Sequence, residues 1–143
     1  MDRKYRVQTT ITVRFSDTDA MGHVNNANIF TYMEQGRVAY FNKLFPEKKL
    51  SDHYDIFPFI LANIKADFKS PAYCGESLIV GLGVVHMGNK SLTMEYDIAE
   101  ELTERLVATG SSVLVMYDYA SAATYPIPDE LKARITELEH SQR

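Results

Sequence analysis

The spacing of apolar and polar positions changes period along the chain, and each change marks an element. Residues 5–15, YRVQTTITVRF, are rich in β-branched and aromatic residues and predict a strand. The polar stretch 16–27 predicts a turn and loop. From about Asn28 to Leu44 the apolar positions Ile29, Tyr32, Met33, Gly36 and Tyr40 recur at helical spacing, with Glu34 and Arg37 off that stripe. Asn25, Asn26 and Asn28 offer N-cap side chains, and Pro46 stops the helix soon after its end. Gly36 costs about 1 kcal/mol against Ala in a helix interior, so its place on the apolar stripe predicts close packing on a sheet.

Alternation then takes over. In 59–68, Ile60, Ala62, Ile64, Ala66 and Phe68 predict one apolar face, and Asn63, Lys65 and Asp67 the other. Residues 77–87 predict a further strand, and Gly88-Asn89-Lys90 a tight connection. Residues 91–100 carry Leu92, Met94, Tyr96 and Ile98 on one side; after a turn at 101–104, residues 105–118 predict a long strand. Pro126 and Pro128 precede a short polar helix from about Asp129 to Glu139. An antiparallel sheet must cover its apolar face, and the long helix is the element available to do it. The expected fold class is α+β: a five-stranded antiparallel sheet wrapped around a central helix at about 28–44, with a short C-terminal helix. Without linker or repeat, residues 1–143 read as a single domain.

Composition narrows the function classes. A net charge of −4 and a pI near 5.5 argue against a general nucleic-acid binder. No run approaches the roughly 18 apolar residues of a membrane span. The start, MDRKYRVQTT, lacks the apolar core of a signal peptide, and the single Cys74 makes no internal disulfide, so the cytoplasm is the expected compartment. The His residues at 23, 53, 86 and 140 show no ligand spacing, so no metal site is expected.

The candidate chemistry lies between Arg14 and Phe41. Asp17 and Asp19 stand at the end of the first strand, followed by the Gly22-His23 turn, the Asn cluster and the helix. The first amides of a helix have no internal partners and carry partial positive charge. A carboxylate beside such a helix start can promote attack on a carbonyl while the amides hold the oxyanion. That combination allows acyl chemistry without a Ser or Cys nucleophile. The structural alternative is loop capping, since Asp folds back onto nearby amides in turns; Asp17 is read that way. His23 is either a structural hydrogen-bonder or a participant at the reaction centre. Cys74, in a Pro- and Gly-flanked loop, is read as an inert thiol.

Three segments resemble a known family. Phe15-Ser-Asp-Thr-Asp19-Ala-Met-Gly22-His23-Val-Asn-Asn26, Ala72-Tyr-Cys-Gly75-Glu76-Ser-Leu and Met87-Gly88-Asn89-Lys90-Ser91-Leu92 are similar, in this order, to motifs of hotdog-fold acyl-CoA thioesterases of the 4-hydroxybenzoyl-CoA thioesterase-like family. The resemblance covers about residues 5–139. It implies that Asp19 is the catalytic carboxylate, acting as general base toward water or as nucleophile through a mixed anhydride. It implies an oxyanion donor at a backbone amide near Asn26, and a part for His23. The chain departs from plant-type relatives at Met21, where they carry Asn, and from another bacterial branch at Asn26, where His stands. Glu34 is the rival carboxylate, since a different hotdog branch places its acid on the central helix. Lys90 and Ser91 fall in the hairpin that meets the CoA end of the ligand in relatives, where Lys90 would pair with a phosphate. Phe57, Pro58, Phe59 and Tyr32 are candidates for lining an acyl pocket.

The implied activity is hydrolysis of a fatty or aromatic acyl-CoA to free acid and CoA, with CoA as part of the substrate and no other cofactor. A non-catalytic acyl-CoA-sensing module and an enoyl-CoA hydratase-like enzyme are the alternatives. Open sheet edges, and the habit of hotdog relatives, predict a homodimer or a homotetramer made of two dimers.

Overall fold

The computed structural model describes residues 4–48 and 59–140. Strand β1 (Val7–Thr12) leads through a one-turn 3-10 helix (Phe15–Asp17) to α1 (Asn26–Leu44). Strands β2 (Phe59–Phe68), β3 (Ser77–Met87), β4 (Ser91–Glu100) and β5 (Leu106–Asp118) follow, then β6 (Ala123–Thr124) and α2 (Asp129–His140). The sheet order is β1-β3-β4-β5-β2, all antiparallel, with β6 paired to β5. The expected antiparallel sheet around one long helix is what forms. The two-residue β6 is a sixth strand that alternation could not reveal, because a pair so short carries no period.

The concave face of the sheet is lined by every second residue: Val7 and Ile11, Leu78, Val80 and Leu82, Leu92, Met94, Tyr96 and Ile98, and Leu114 and Met116, all buried. Helix α1 lies on this face. A Cβ at Gly36 would stand 3.0 Å from Val80 Cγ1 and 3.3 Å from Leu82 Cδ2, so the glycine does permit the close approach its position predicted. At the edge beyond the start of β1, the Val84 amide has no strand partner. The carboxylate of Glu139 on α2 accepts that N–H at 2.9 Å and also the Tyr40 hydroxyl, so the last turn of α2 covers the edge. Burial, then the Glu139 carboxylate, pushes the Tyr40 hydroxyl far above the usual phenol range.

Three expectations are corrected. The helix begins two residues earlier, at Asn26, because Asn25 takes the N-cap with its side chain accepting from the Ala27 amide at 2.8 Å. In β2 the register shifts between Leu61 and Asn63, leaving Ala62 without a cross-strand partner on β5. The bulge reverses the phase before it, so Phe59 and Leu61, rather than Ile60 and Ala62, share the face of Ile64 and Ala66. Arg37, placed off the apolar stripe by its charge, is buried at 8 % exposure on the inner side of α1. His53, Phe57 and Pro58 lie outside the described residues.

Candidate active site

The segment joining β1 to α1 folds around Asp17. Its carboxylate accepts from the Tyr32 hydroxyl at 2.7 Å, from Arg14 Nη2 at 2.9 Å and from the Arg14 amide at 3.1 Å. Its carbonyl accepts from the Asn25 amide at 3.0 Å and from Asn28 Nδ2 at 2.9 Å. One residue therefore ties the end of β1 to the first turn of α1. Burial pushes the Asp17 carboxyl up, but hydrogen bonds from Arg14 and Tyr32 outweigh it and hold the group below the ordinary carboxylate range. Tyr32 serves this anchor at 3 % exposure.

Between Asp17 and Asn25 the chain makes a small hairpin closed by the Thr18–Val24 bridge. Asp19 and Gly22 are the first and fourth residues of its turn, with the Gly22 amide donating to the Asp19 carbonyl at 2.9 Å and the Asp19 amide to the His23 carbonyl at 3.0 Å. Gly22 has φ +85°, a left-handed conformation that suits glycine, and Asp is favoured at the first turn position for its side-chain acceptor. Accordingly Asp19 Oδ1 accepts from the Met21 amide at 2.9 Å. Oδ2 has no partner among the described residues. Asp19 thus does cap its loop, and it still leaves one oxygen for other work.

His23 and Asn26 meet at a cleft of about 290 Å³ between the start of α1 and the end of β2, which Ile29, Phe68, Lys69 and Ser70 also line. The His23 backbone bridges Tyr73, fixing this wall to the strand-like segment before β3. Its imidazole has no protein partner among the described residues. At the helix start, the Ala27 amide is taken by the Asn25 side chain and the Asn28 amide by the Asn25 carbonyl at 2.9 Å. The Asn26 amide is left as the open donor at the positive end of α1. Asp19 is not among the residues that line this cleft; its amide donates to the carbonyl of His23, which does line it. The sequence did not single out Lys69 and Ser70, which read as loop; Phe68 was legible as the last inward residue of its strand.

Lys90 and Ser91 lie at the other end of the sheet. Within one chain the length of β3 separates them from this cleft, about 30 Å at 3.4 Å per residue. Lys90 Nζ donates to Thr124 Oγ1 at 3.3 Å. Glu34 is exposed on α1, and Met21 and Cys74 are exposed. No group of three or more His, Cys, Asp or Glu side chains converges to hold a metal ion among the described residues, and no helix there is long and apolar enough to cross a membrane.

Comparison with known proteins agrees with the architecture. Residues 13–135 match the model of the thioesterase-like superfamily. The chain is 31 % identical over 122 residues to the uncharacterized protein YsmA of Bacillus subtilis, covering 85 % of this chain and 80 % of that one. It is 30 % identical over 125 residues to a 1,4-dihydroxy-2-naphthoyl-CoA hydrolase of Nostoc punctiforme, covering 84 % and 80 %. A thioesterase of Thermus thermophilus, solved with coenzyme A and zinc, superposes with a TM-score of 0.83 at 30 % identity, covering 97 % of this chain and 98 % of that one. The chain belongs to the thioesterase-like superfamily and is a thioester hydrolase built on the hotdog fold.

Proposed function

We propose that the protein hydrolyses acyl-CoA thioesters with Asp19 as the catalytic carboxylate and the Asn26 amide as oxyanion donor. The observation that carries this reading is the pairing of a carboxylate with one unengaged oxygen and a helix start with one open amide, on either side of His23. In the general-base route, Asp19 Oδ2 takes a proton from water as the water oxygen bonds to the thioester carbon. The Asn26 N–H holds the oxygen that becomes negative. Collapse of the adduct breaks the C–S bond and releases CoA as thiolate, a leaving group that needs little acid assistance. In the nucleophilic route Oδ2 itself attacks, and water then cleaves the mixed anhydride. His23 orients the water or the carbonyl in either route.

A homodimer completes this reading. Strand β2 is a sheet edge with Ile60, Leu61 and Phe68 at 36–45 % exposure. Antiparallel pairing of β2 with its copy would set the Asn26 end of one sheet beside the Lys90 end of the other. Lys90 of the second copy then faces the phosphates of a CoA held at the first cleft, and Ser91 flanks it. The exposed thiol of Cys74 suits the reducing cytoplasm.

The decisive variant is Asp19→Asn, because Asn keeps an oxygen to accept the Met21 amide and removes only the base. The expected result is a fall in kcat of about 10²–10⁴-fold with an unchanged thermal midpoint, read as CoA release from a panel of acyl-CoAs. Turnover like wild type would reduce Asp19 to a loop cap and end the assignment.

A further inference from the structure

The cleft at the start of α1 has one wall of regular structure and one without it. Helix α1 supplies Asn26 and Ile29, whereas Ser70, Pro71 and Ala72 come from the irregular segment between β2 and β3. Segments of this kind open more readily than strands unless side chains hold them. The backbone of this one is tied near its two ends. The Lys69 and Ser70 amides donate to the Val107 carbonyl at 2.8 and 3.2 Å, and the Gly75 amide donates to the Val13 carbonyl at 2.9 Å.

Between those ends the segment is gripped by Arg105, the residue before β5. Its Nη2 donates to the Pro71 carbonyl at 3.1 Å and to Glu76 Oε1 and Oε2 at 2.8 and 3.1 Å, and its Nε donates to Ser70 Oγ at 3.3 Å. Glu76 Oε1 also accepts from the Tyr73 amide at 2.8 Å. Acceptors from residues 70, 71 and 76 thus converge on one guanidinium, whose planar fork serves several at once. Without that cation they would face and repel one another, and the segment would part from the sheet. What the segment carries is the reacting loop. The Val24 amide donates to the Ala72 carbonyl at 2.8 Å, His23 bridges Tyr73, and the His23 carbonyl accepts from the Asp19 amide at 3.0 Å. A continuous set of polar contacts therefore runs from Arg105 and Glu76 through residues 70–73 to His23 and Asp19.

Resting on the thioesterase reading above, we infer that Arg105 and Glu76 are positioning residues for hydrolysis: the pair holds residues 70–73, and through them His23 and Asp19, in reacting geometry. Neither residue touches the reacting atoms. The pair is partly open to solvent, with side chains 34 % and 23 % exposed, so its weight falls on the geometry of the site rather than on the stability of the fold.

The test combines kinetics, on whichever of hexanoyl-, octanoyl-, palmitoyl- and benzoyl-CoA wild type cleaves fastest, with amide hydrogen exchange read residue by residue by NMR. Arg105→Met should lower kcat by about 10–100-fold, the scale of a displacement near 1 Å at a reacting centre, with KM little changed because the loss falls on the transition state. Its thermal midpoint should stay within about 4 °C of wild type. The Asp19 and Val24 amides should exchange faster in the variant, while the β3–β4 ladder keeps its wild-type rates. Arg105→Lys, which can reach Glu76 but not span the other acceptors, should fall between, as should Glu76→Gln. A wild-type kcat in Arg105→Met overturns the inference, as does a rise in KM without a fall in kcat. So does a fall in kcat with exchange either unchanged at Asp19 and Val24 or faster across the whole sheet. If Arg105→Met does not fold, Arg105→Lys and Glu76→Gln decide by the same readings. If wild type cleaves no acyl-CoA, the thioesterase reading fails by itself; exchange then decides alone, faster rates confined to Asp19 and Val24 sustaining the hold of the pair on the loop and any other pattern overturning it.

Discussion

At the scale of single residues, two aspartates two positions apart have been given different work by their surroundings. Asp17 is withdrawn from water and saturated with donors, which suits an anchor. Asp19 is half-buried with an oxygen to spare, which suits a reagent. Because the Asp17 carboxyl is held low in the folded state, its contribution to stability is fully present above the unfolded value near pH 4 and is lost as pH falls through the lower folded value. Asp17→Asn should therefore lower stability by about 1–3 kcal/mol at neutral pH, measured by urea denaturation, and should flatten the fall in thermal midpoint that wild type shows on acidification below about pH 4. An acid limb of the same steepness in wild type and variant would show that Asp17 is not the group being titrated.

At the scale of elements, the helix and sheet meet where side chains are small. Gly36→Leu would push against Val80 and Leu82 and should cost about 1–3 kcal/mol by overpacking, seen as a lower denaturation midpoint with an unchanged slope. Most of these elements were legible in the chain because one face of each is buried, and burial on one face writes a period into the sequence. What escaped lacks such a period. The bulge at Ala62 adds a residue to one strand only, so the alternation of β2 reads true after Asn63 and inverted before it. Arg37 sits at helical spacing from Met33 and Phe41; only its charge took it off the stripe, and a general preference for exposed charge gave way to a local partner in Tyr96. At the site, the Asp-x-x-Gly-His spacing was readable as a turn. Which oxygen of Asp19 is engaged, and which amide of the helix start stays open, depend on Asn25 and Met21 in three dimensions. Lys90 and Ser91 were found by resemblance, and their distance along β3 from the cleft becomes visible only once the strand order is known.

At the scale of the whole molecule, the exposed apolar margin of β2 calls for a partner strand. Leu61→Lys places a charge at 43 % exposure in that margin, tolerable in one chain and costly when buried between two. The expected outcome is a shift from dimer to monomer by light scattering, an unchanged circular dichroism spectrum, and a rise in KM for CoA thioesters as Lys90 of the second copy is lost. A variant that remains dimeric would move the subunit contact away from β2. The placement of Cys74 bears on how turnover is followed. It is the chain's lone sulfhydryl, and it is exposed next to Tyr73, whose backbone bridges His23. A chromogenic disulfide that counts liberated CoA will react with it as well, adding a zero-time offset that scales with enzyme rather than substrate. The same reactivity makes residue 74 a ready point for attaching a fluorophore two residues along the chain from Ala72, which lines the cleft, with no engineered label site required.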